Sequence, residues 1–249
     1  MDKTLIKGVH LLQIVVESAR PWSVSALAKV LGLQPSNVHR TLQTWCELGF
    51  MAQSDATGEY HCTLKLFEWG CKVAGGFDVR RLAREHLLHL AQMSQETIHL
   101  SVLESAEIVY LDKIDSPQPV RAYSEVGGRA PAHCVATGKA LLACNDAQVL
   151  DSLPNPLPCP TAKTISSIEG LKKELARIRE CGYATNFEEW REGVHGLGSV
   201  IFDQNGVPVA AVGLSAPANR MDEERARQLG QMVLETAEKI TRALGGRVR

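Results

Sequence analysis

The sequence predicts an α+β protein in two parts, a small winged helix-turn-helix followed by a longer domain in which short strands and helices alternate. Three observations lead there. Residues 23–48 hold two runs of helical periodicity separated by Gly32 and Pro35. Residues 50–53 and 59–63 are short runs flanking S-D-A-T-G, which reads as a hairpin because Asp55 and Gly58 are turn formers. From Thr97 onward, β-type runs are interleaved with helical ones and the chain closes on a long helical stretch.

Within the first part, Thr4 is a candidate cap for an opening helix with Leu5, Val9, Leu12 and Val16 as its inward stripe, ending near Ala19 before Arg20-Pro21. Ser23 is the candidate N-cap of the next helix, Leu27, Ala28, Val30 and Leu31 are its apolar residues, and Gly32 sits where a left-handed residue ends it. Pro35 opens the third helix, since a first-turn amide has no intrahelical partner to lose. Val38, Leu42, Trp45 and Leu48 recur at helical spacing and point inward, which turns Ser36, Asn37, Arg40, Gln43 and Thr44 outward with His39 on the flank. That outer face holds the groups that read base edges: Arg for guanine, Asn or Gln for adenine, Ser or Thr for phosphate or base. A solvated polar face is the bland alternative. The paired helices and the hairpin wing favour double-stranded DNA.

The 249 residues, 45% hydrophobic and 22% charged, suffice for two packed cores. No run of about 18 apolar residues and no signal segment is present, so neither membrane insertion nor export is expected. Seven cysteines (46, 62, 71, 134, 144, 159, 181) are scattered and never spaced C-x-x-C, which fits a reduced, cytoplasmic protein. The net charge is −1, and residues 1–75 carry seven Lys or Arg against six Asp or Glu, a surplus of one. Few phosphate contacts per copy are therefore expected, and DNA binding should depend on dimerisation, with helix N-termini adding to phosphate capture.

Residues 64–74 form a further helix, and Gly75-Gly76 is the strongest breaker pair before the middle of the chain. The division expected is a DNA-binding domain over 1–75, a helix over 76–95 that links it to the rest, and an α+β sensor domain over 96–249. The linker helix carries Val79, Leu82, Ala83, Leu87, Leu90 and Ala91 as a stripe that could pair two protomers. His86 and His89 on it lie three apart, but no carboxylate or thiol stands at a matching step, so no metal site is expected there. Strands are expected over 97–103, 107–114, 120–123, 183–187, 197–202 and 207–214, the last two joined by D-Q-N-G. Helices are expected over 136–143, 168–180 (stopped by Gly182) and 222–244, with a proline-rich loop over 154–160. The short hairpins imply a largely antiparallel sheet.

The stretch G-G-R-A-P-A-H-C-V-A-T-G-K-A-L-L-A (127–143), with G-Y-A-T-N-F-E-E-W-R-E-G-V-H-G-L-G-S-V-I-F-D and V-A-A-V-G-L-S-A-P-A-N-R, closely resembles the IclR family of bacterial transcriptional regulators, in the right order from about Lys7 to the last helix. The resemblance implies a winged helix, a linker helix and a C-terminal effector-binding domain related to GAF and PAS-like sensors, assembled as a homodimer or dimer of dimers on operator DNA. Read physically, the first stretch is a loop entering a helix, whose free amides near Ala136, Thr137 and Gly138 suit an anion; a simple Gly-rich turn before a core helix is the alternative, and the family implies that these amides cradle a small organic acid. Lys139 and Leu141 are then structural. Carried across from the family, the effector pocket falls on Ala136, Thr137, Asn186, Gly196, Gly213 and Ser215. Beyond what the family implies, His133 and Tyr123 could add polar contacts and His195 lies beside Gly196, with a satisfied structural group as the alternative for each histidine. Members that bind very small carboxylates tend to have Asp, Cys and two Ser where this chain has Asn186, Gly196, Gly213 and Ser215. Pro119, Ala122 and Ala130 likewise stand where bulkier apolar residues are usual. The implied effector is a larger organic acid, such as an aromatic or sugar-derived one.

Two other functions compete. A Cys134-dependent enzyme using His133 or His195 lacks any G-x-S-x-G, H-E-x-x-H or phosphate-loop pattern, and Glu188, Glu189 and Glu192 read as a solvated, charged strand end. A sensor acting only through protein contacts would use the helix pair for packing. Neither enzyme activity nor a cofactor is expected.

Overall fold

The computed structural model describes residues 1–18, 20–75, 78–122, 124–145 and 147–247. The chain forms two compact units, Met1–Gly76 and Phe77–Arg249.

The first unit opens with α1 (Lys3–Ser18). Its cap is Asp2, whose Oδ1 accepts the amides of Thr4 and Leu5 at 2.8 and 3.1 Å, rather than Thr4. The inward stripe is Gly8, Leu11 and Val15, with Leu12 at its edge, while Leu5, Val9 and Val16 face outward. Gly8 explains the rotation: its carbonyl accepts the indole N–H of Trp45 at 3.2 Å, so the helix turns its bare position toward α3. Helix α2 (Val24–Leu31) is capped by Ser23, whose Oγ accepts the Ala26 amide at 3.3 Å, and ends on Gly32 at φ 63°. Helix α3 (Pro35–Glu47) buries Val38 and Leu42 completely and Trp45 in part. Val30 and Leu48 are exposed, Leu48 because it already lies at the C-cap, past the last turn that packs.

Strands β1 (Met51–Gln53) and β2 (Tyr60–Cys62) pair antiparallel as the wing, and Trp22 adds a bridge to Tyr60 with hydrogen bonds of 2.9 and 2.8 Å. Trp22, Met51 and Tyr60 close the core that Leu11, Val15, Leu27, Val38 and Leu42 begin. Helix α4 (Leu64–Gly75) ends the unit and leaves Leu64, Phe67, Trp69 and Val73 exposed.

In the second unit, α5 (Asp78–Ser94) leads into β3 (Thr97–Glu104) and β4 (Glu107–Ile114), followed by a short β5 (Arg129–Pro131), α6 (Ala136–Cys144), α7 (Ala147–Asp151), α8 (Ile168–Cys181), β6 (Ala184–Phe187), β7 (Val194–Phe202), β8 (Pro208–Pro217) and α9 (Glu223–Ala243). The strands form one antiparallel sheet in the order β5-β4-β3-β8-β7-β6. The period of two in β3 and β8 separates its faces. Ile98, Leu100, Val212 and Leu214 pack with Leu87, Leu90, Val233 and Ile240 of α5 and α9, whereas Ile108 and Ala211 pack with Leu141, Leu142, Leu171 and Leu175 of α6 and α8.

Two expectations change here. Val79, Ala83, Leu87, Leu90 and Ala91 of the α5 stripe are consumed inside this unit, and Arg84 and Arg80 of the same helix reach the buried Asp112 at 2.9 and 3.8 Å, so of that stripe only the partly buried Leu82 stands outside this core. Residues 120–122 are a loop instead of a strand: the Val120 carbonyl is taken by Arg220 at 2.8 Å, and the edge position beside β4 is filled by Arg129–Pro131. Tyr123 lies outside the described residues.

Candidate functional site

On α3, Ser36, Asn37, His39, Arg40, Gln43 and Thr44 are all exposed. Arg40 Nη2 donates to Asn37 Oδ1 at 3.2 Å, one helical turn away, so guanidinium and amide are held side by side. The Thr44 hydroxyl is folded back onto the Arg40 carbonyl at 3.1 Å. This face can therefore offer a bidentate donor from Arg40 and an amide from Asn37 or Gln43 to the major-groove edges of base pairs. The wing turn beside it is closed by Gly58 at φ 69°, with its amide on the Ser54 carbonyl.

The second unit contains a cavity of about 230 Å³ over the sheet. Ladder register defines its floor. Thr97, Ser215, Gly196 and Asn186 form one row across β3, β8, β7 and β6, and His99, Gly213, Gly198 and Ala184 form the next. The first turn of α6 lies directly on the second row. A Cβ at Gly198 would stand 2.6 Å from the Thr137 amide nitrogen, and one at Gly213 would stand 2.5 Å from Thr137 Cγ2, so these glycines allow the helix to sit on the sheet. Among the described residues no side chain caps α6, which leaves its first amides at a positive helix end beside the cavity. Asn186 Oδ1 is occupied by the Glu189 amide at 2.8 Å, so what Asn186 offers the cavity is its NH₂.

The wall opposite β6 carries His99, Tyr110 and Ser124. The His99 and Tyr110 rings lie 5.0 Å apart, and Ser124 Oγ is 3.3 Å from His99 Nδ1. Burial, and then the Lys113 cation, lower His99 to about 4, which makes it a neutral imidazole at pH 7. Trp190 and Arg191 enter from the turn between β6 and β7. Of the two arginines in the lining, Arg129 is held by Glu107 and Glu104 at 2.7 Å each, while Arg191 makes no ion pair among the described residues.

That turn is anchored from below. Lys139, 1% exposed, donates to both oxygens of Glu189 at 2.6 and 2.7 Å and lies 3.7 Å from Glu174. Glu189 is thus a buried half of an ion pair, not part of a solvated acidic patch, and burial pushes its carboxyl up against the pull of Lys139. Glu188 is tied to Lys163 and to the Gly193 amide.

Of the residues read as an effector site, Ala136, Thr137, Asn186, Gly196 and Ser215 line one cavity, joined by Ala122. Gly213 is beneath Thr137 and serves close packing instead of opening the cavity; Gly196, whose missing Cβ would meet nothing nearer than 3.5 Å, does leave room. His133 lies elsewhere, buried with Nε2 on the Pro158 carbonyl at 2.8 Å, and Ala130 is in the core. His195 is occupied by the Met221 carbonyl at 3.0 Å. His99, Tyr110, Ser124, Trp190 and Arg191 escaped the sequence reading. Thr97-Ile98-His99-Leu100-Ser101 carried the available signal, because polar residues alternating with apolar ones on a central strand must face something polar.

The thiol chemistry considered above finds no support. Cys134 Sγ is 3.2 Å from His133 Nε2, but that nitrogen already donates its proton to a carbonyl and cannot accept one. Burial pushes the Cys134 thiol up to about 12. Iodoacetamide at pH 7.5 is accordingly expected to alkylate the exposed Cys71 and Cys159 of the native protein and to spare Cys134 until denaturant is added, as read by peptide mass spectrometry. Among the described residues, no three His, Cys, Asp or Glu side chains are grouped as metal ligands, and no helix is long and apolar enough to cross a membrane.

Comparison with known proteins agrees with both halves. The IclR helix-turn-helix domain matches residues 4–55, and the bacterial transcriptional regulator IclR C-terminal matches residues 71–242. The HTH-type transcriptional regulator KdgR of Escherichia coli strain K12 is 35% identical over 246 residues, covering 97% of this chain and 92% of that one. The IclR structure of Thermotoga maritima superposes with a TM-score of 0.83 at 32% identity, covering 97% of this chain and 98% of that one. An IclR homologue from Microbacterium hydrocarbonoxydans, solved with 4-hydroxybenzoate, shares the fold with a TM-score of 0.84 at 23% identity, covering 97% and 99%. With a winged helix-turn-helix ahead of a GAF/PAS-like α+β domain, matched along nearly its whole length, this chain belongs to the IclR family of transcriptional regulators.

Proposed function

We propose that residues 1–75 bind double-stranded operator DNA as part of a homodimer or dimer of dimers in the cytoplasm, and that a small organic acid in the cavity of residues 96–249 sets that affinity through the linking segment 76–95. The observation that carries the DNA reading is the exposed face of α3, where Arg40 and Asn37 are aligned by their own hydrogen bond while Val38 and Leu42 hold the helix down. Changing Arg40 to Ala is expected to cost about 1–3 kcal/mol of operator affinity and to relax sequence preference, with the fold unchanged because the side chain is exposed. Fluorescence anisotropy against operator and random duplexes measures this. An unaltered preference would favour a sensor that works through protein contacts alone.

For the effector, support comes from the donors that converge on the cavity: the first amides of α6, the Asn186 NH₂ and the hydroxyls of Thr137 and Ser215. The volume matches about eight waters at liquid density, more than a two-carbon acid fills. A larger acid, aromatic or sugar-derived, fits this space, and the relative that holds 4-hydroxybenzoate is of that class. Such an acid raises the melting temperature by mass action and alters operator affinity, while operator DNA alters the affinity for the acid by the same factor. Calorimetry in which only two-carbon acids bind would contradict the proposal.

A further inference from the structure

We infer that the acid this cavity accepts carries a hydroxyl, or a similar uncharged hydrogen-bonding group, at the end remote from its carboxylate, and that His99, backed by Ser124, selects for it. The inference rests on reading the cavity as the effector site.

The register sets the geometry. The amides of α6 lie over Gly213 and Gly198 on β8 and β7, and Asn186 is on β6. His99 stands on β3, the opposite side of that group, with Lys113 of β4 as its ladder partner beyond it. At about 4.8 Å per strand, β6 and β3 stand roughly 14 Å apart, and Asn186 and His99 are offset by a further two residues along the strands. The donors suited to a carboxylate thus lie over β6, β7 and β8, and the imidazole closes the space on the β3 side.

That imidazole is a built feature. It is 4% exposed, its ring lies against Tyr110, and Nδ1 is engaged by Ser124 Oγ. Nε2 has no partner among the described residues, so a bound molecule can supply one. The nearby cation is committed: Lys113 Nζ lies 2.8 Å from Asp115 and 2.7 Å from the Ser124 carbonyl. Being neutral, the ring brings no countercharge for a second carboxylate, but it hydrogen-bonds a hydroxyl in either tautomer, with the Ser124 hydroxyl taking the complementary sense. The indole of Trp190, from the turn after β6, suits the ring or carbon chain of the acid, while Tyr110 on β4 backs His99 from beyond β3. A deoxy analogue would leave the imidazole desolvated and unpaired, and sites built around a hydroxyl discriminate strongly on that ground.

The test is titration calorimetry of the full-length protein with acid pairs that differ in one remote hydroxyl: 4-hydroxybenzoate against benzoate, and 5-hydroxypentanoate against pentanoate. In at least one pair the hydroxylated member is expected to bind tenfold tighter or more. His99→Phe should collapse that ratio toward one, weakening the hydroxylated acid and tightening the deoxy acid, which no longer strands an imidazole, and His99→Gln should restore part of the preference. Ser124→Ala, at a half-exposed position, gives the same direction of change should His99→Phe not fold. Asn186→Ala should weaken both members of a pair alike. A ratio near one in the wild type, or one that survives in His99→Phe and Ser124→Ala, overturns the inference while leaving the cavity as the acid site. If neither member of either pair binds, the cavity reading fails and the inference with it.

Discussion

Lys139→Met is expected to destabilise the second unit by about 3–5 kcal/mol, the cost of stranding one member of a buried ion pair. For a domain of this size that is a fall of roughly 6–20 °C in melting temperature. Methionine keeps the volume of the lysine stem, so little packing is lost; what remains is the Glu189 carboxylate, deprived of an ammonium at 2.6 and 2.7 Å. The pH dependence has a definite sign. Burial raises the Glu189 carboxyl in the folded state, so folding favours its protonated form. Stability from that preference is present below the unfolded carboxyl value and is lost as pH rises through the folded one. With Lys139 gone, the shift grows, and the deficit against wild type should shrink as pH falls from 8 to 5. Combining Lys139→Met with Glu189→Leu should recover most of the loss, since apolar replacement of both partners removes the desolvated charge. Because Glu189 also anchors the turn bearing Trp190 and Arg191, acid affinity should fall in the single variant. A cost under about 1 kcal/mol would mean that the pair is solvated in solution, unlike a truly buried one.

Gly198→Ala and Gly196→Ala, two residues apart on β7, should behave oppositely. At Gly198 the new methyl meets backbone: 2.6 Å to the Thr137 nitrogen and 2.8 Å to both the Ala136 carbonyl carbon and Thr137 Cα. No flexible side chain is there to yield, so α6 must lift, at about 1–3 kcal/mol or more for an overpacked site. Its first amides would move with it, and acid binding should be lost even where the protein stays folded. At Gly196 the nearest atoms are at 3.5, 3.6 and 3.7 Å, ordinary contact distances, and φ is not positive. Alanine is tolerated there, or adds up to about 1 kcal/mol by restricting the unfolded chain, and it narrows the cavity by a methyl group. Thermal melts with and without acid measure both. A Gly198→Ala protein as stable as wild type would show that the helix does not rest on the sheet.

What could be read directly from the chain was local chemistry. Ser23, Gly32, Pro35, Gly182 and Asp222 mark helix ends because capping and left-handed turns are decided within four residues. The wing and the β7–β8 hairpin followed from turn residues between short alternating runs. The stripe of α1 did not, since Leu5, Ile6, Leu11, Leu12, Ile14, Val15 and Val16 make that helix apolar nearly all round and two adjacent stripes satisfy the same period. The approach of Trp45 to Gly8, 37 residues away, chooses between them.

The site divides the same way. A loop entering a helix suggests free amides near Ala136 and Thr137, but residue type and order alone fit a plain Gly-rich turn as well, and it is the family resemblance that points to a pocket there. By contrast, that Gly213 is a seat for α6 while Gly196 is open space, that His99 joins Ser124 across 25 residues, and that Lys139 meets Glu189 across 50, depends on which strands are neighbours. Helical period, caps and turns are short-range and written in consecutive residues; cavity walls and buried charge pairs arise only when the sheet order β5-β4-β3-β8-β7-β6 brings distant segments into contact.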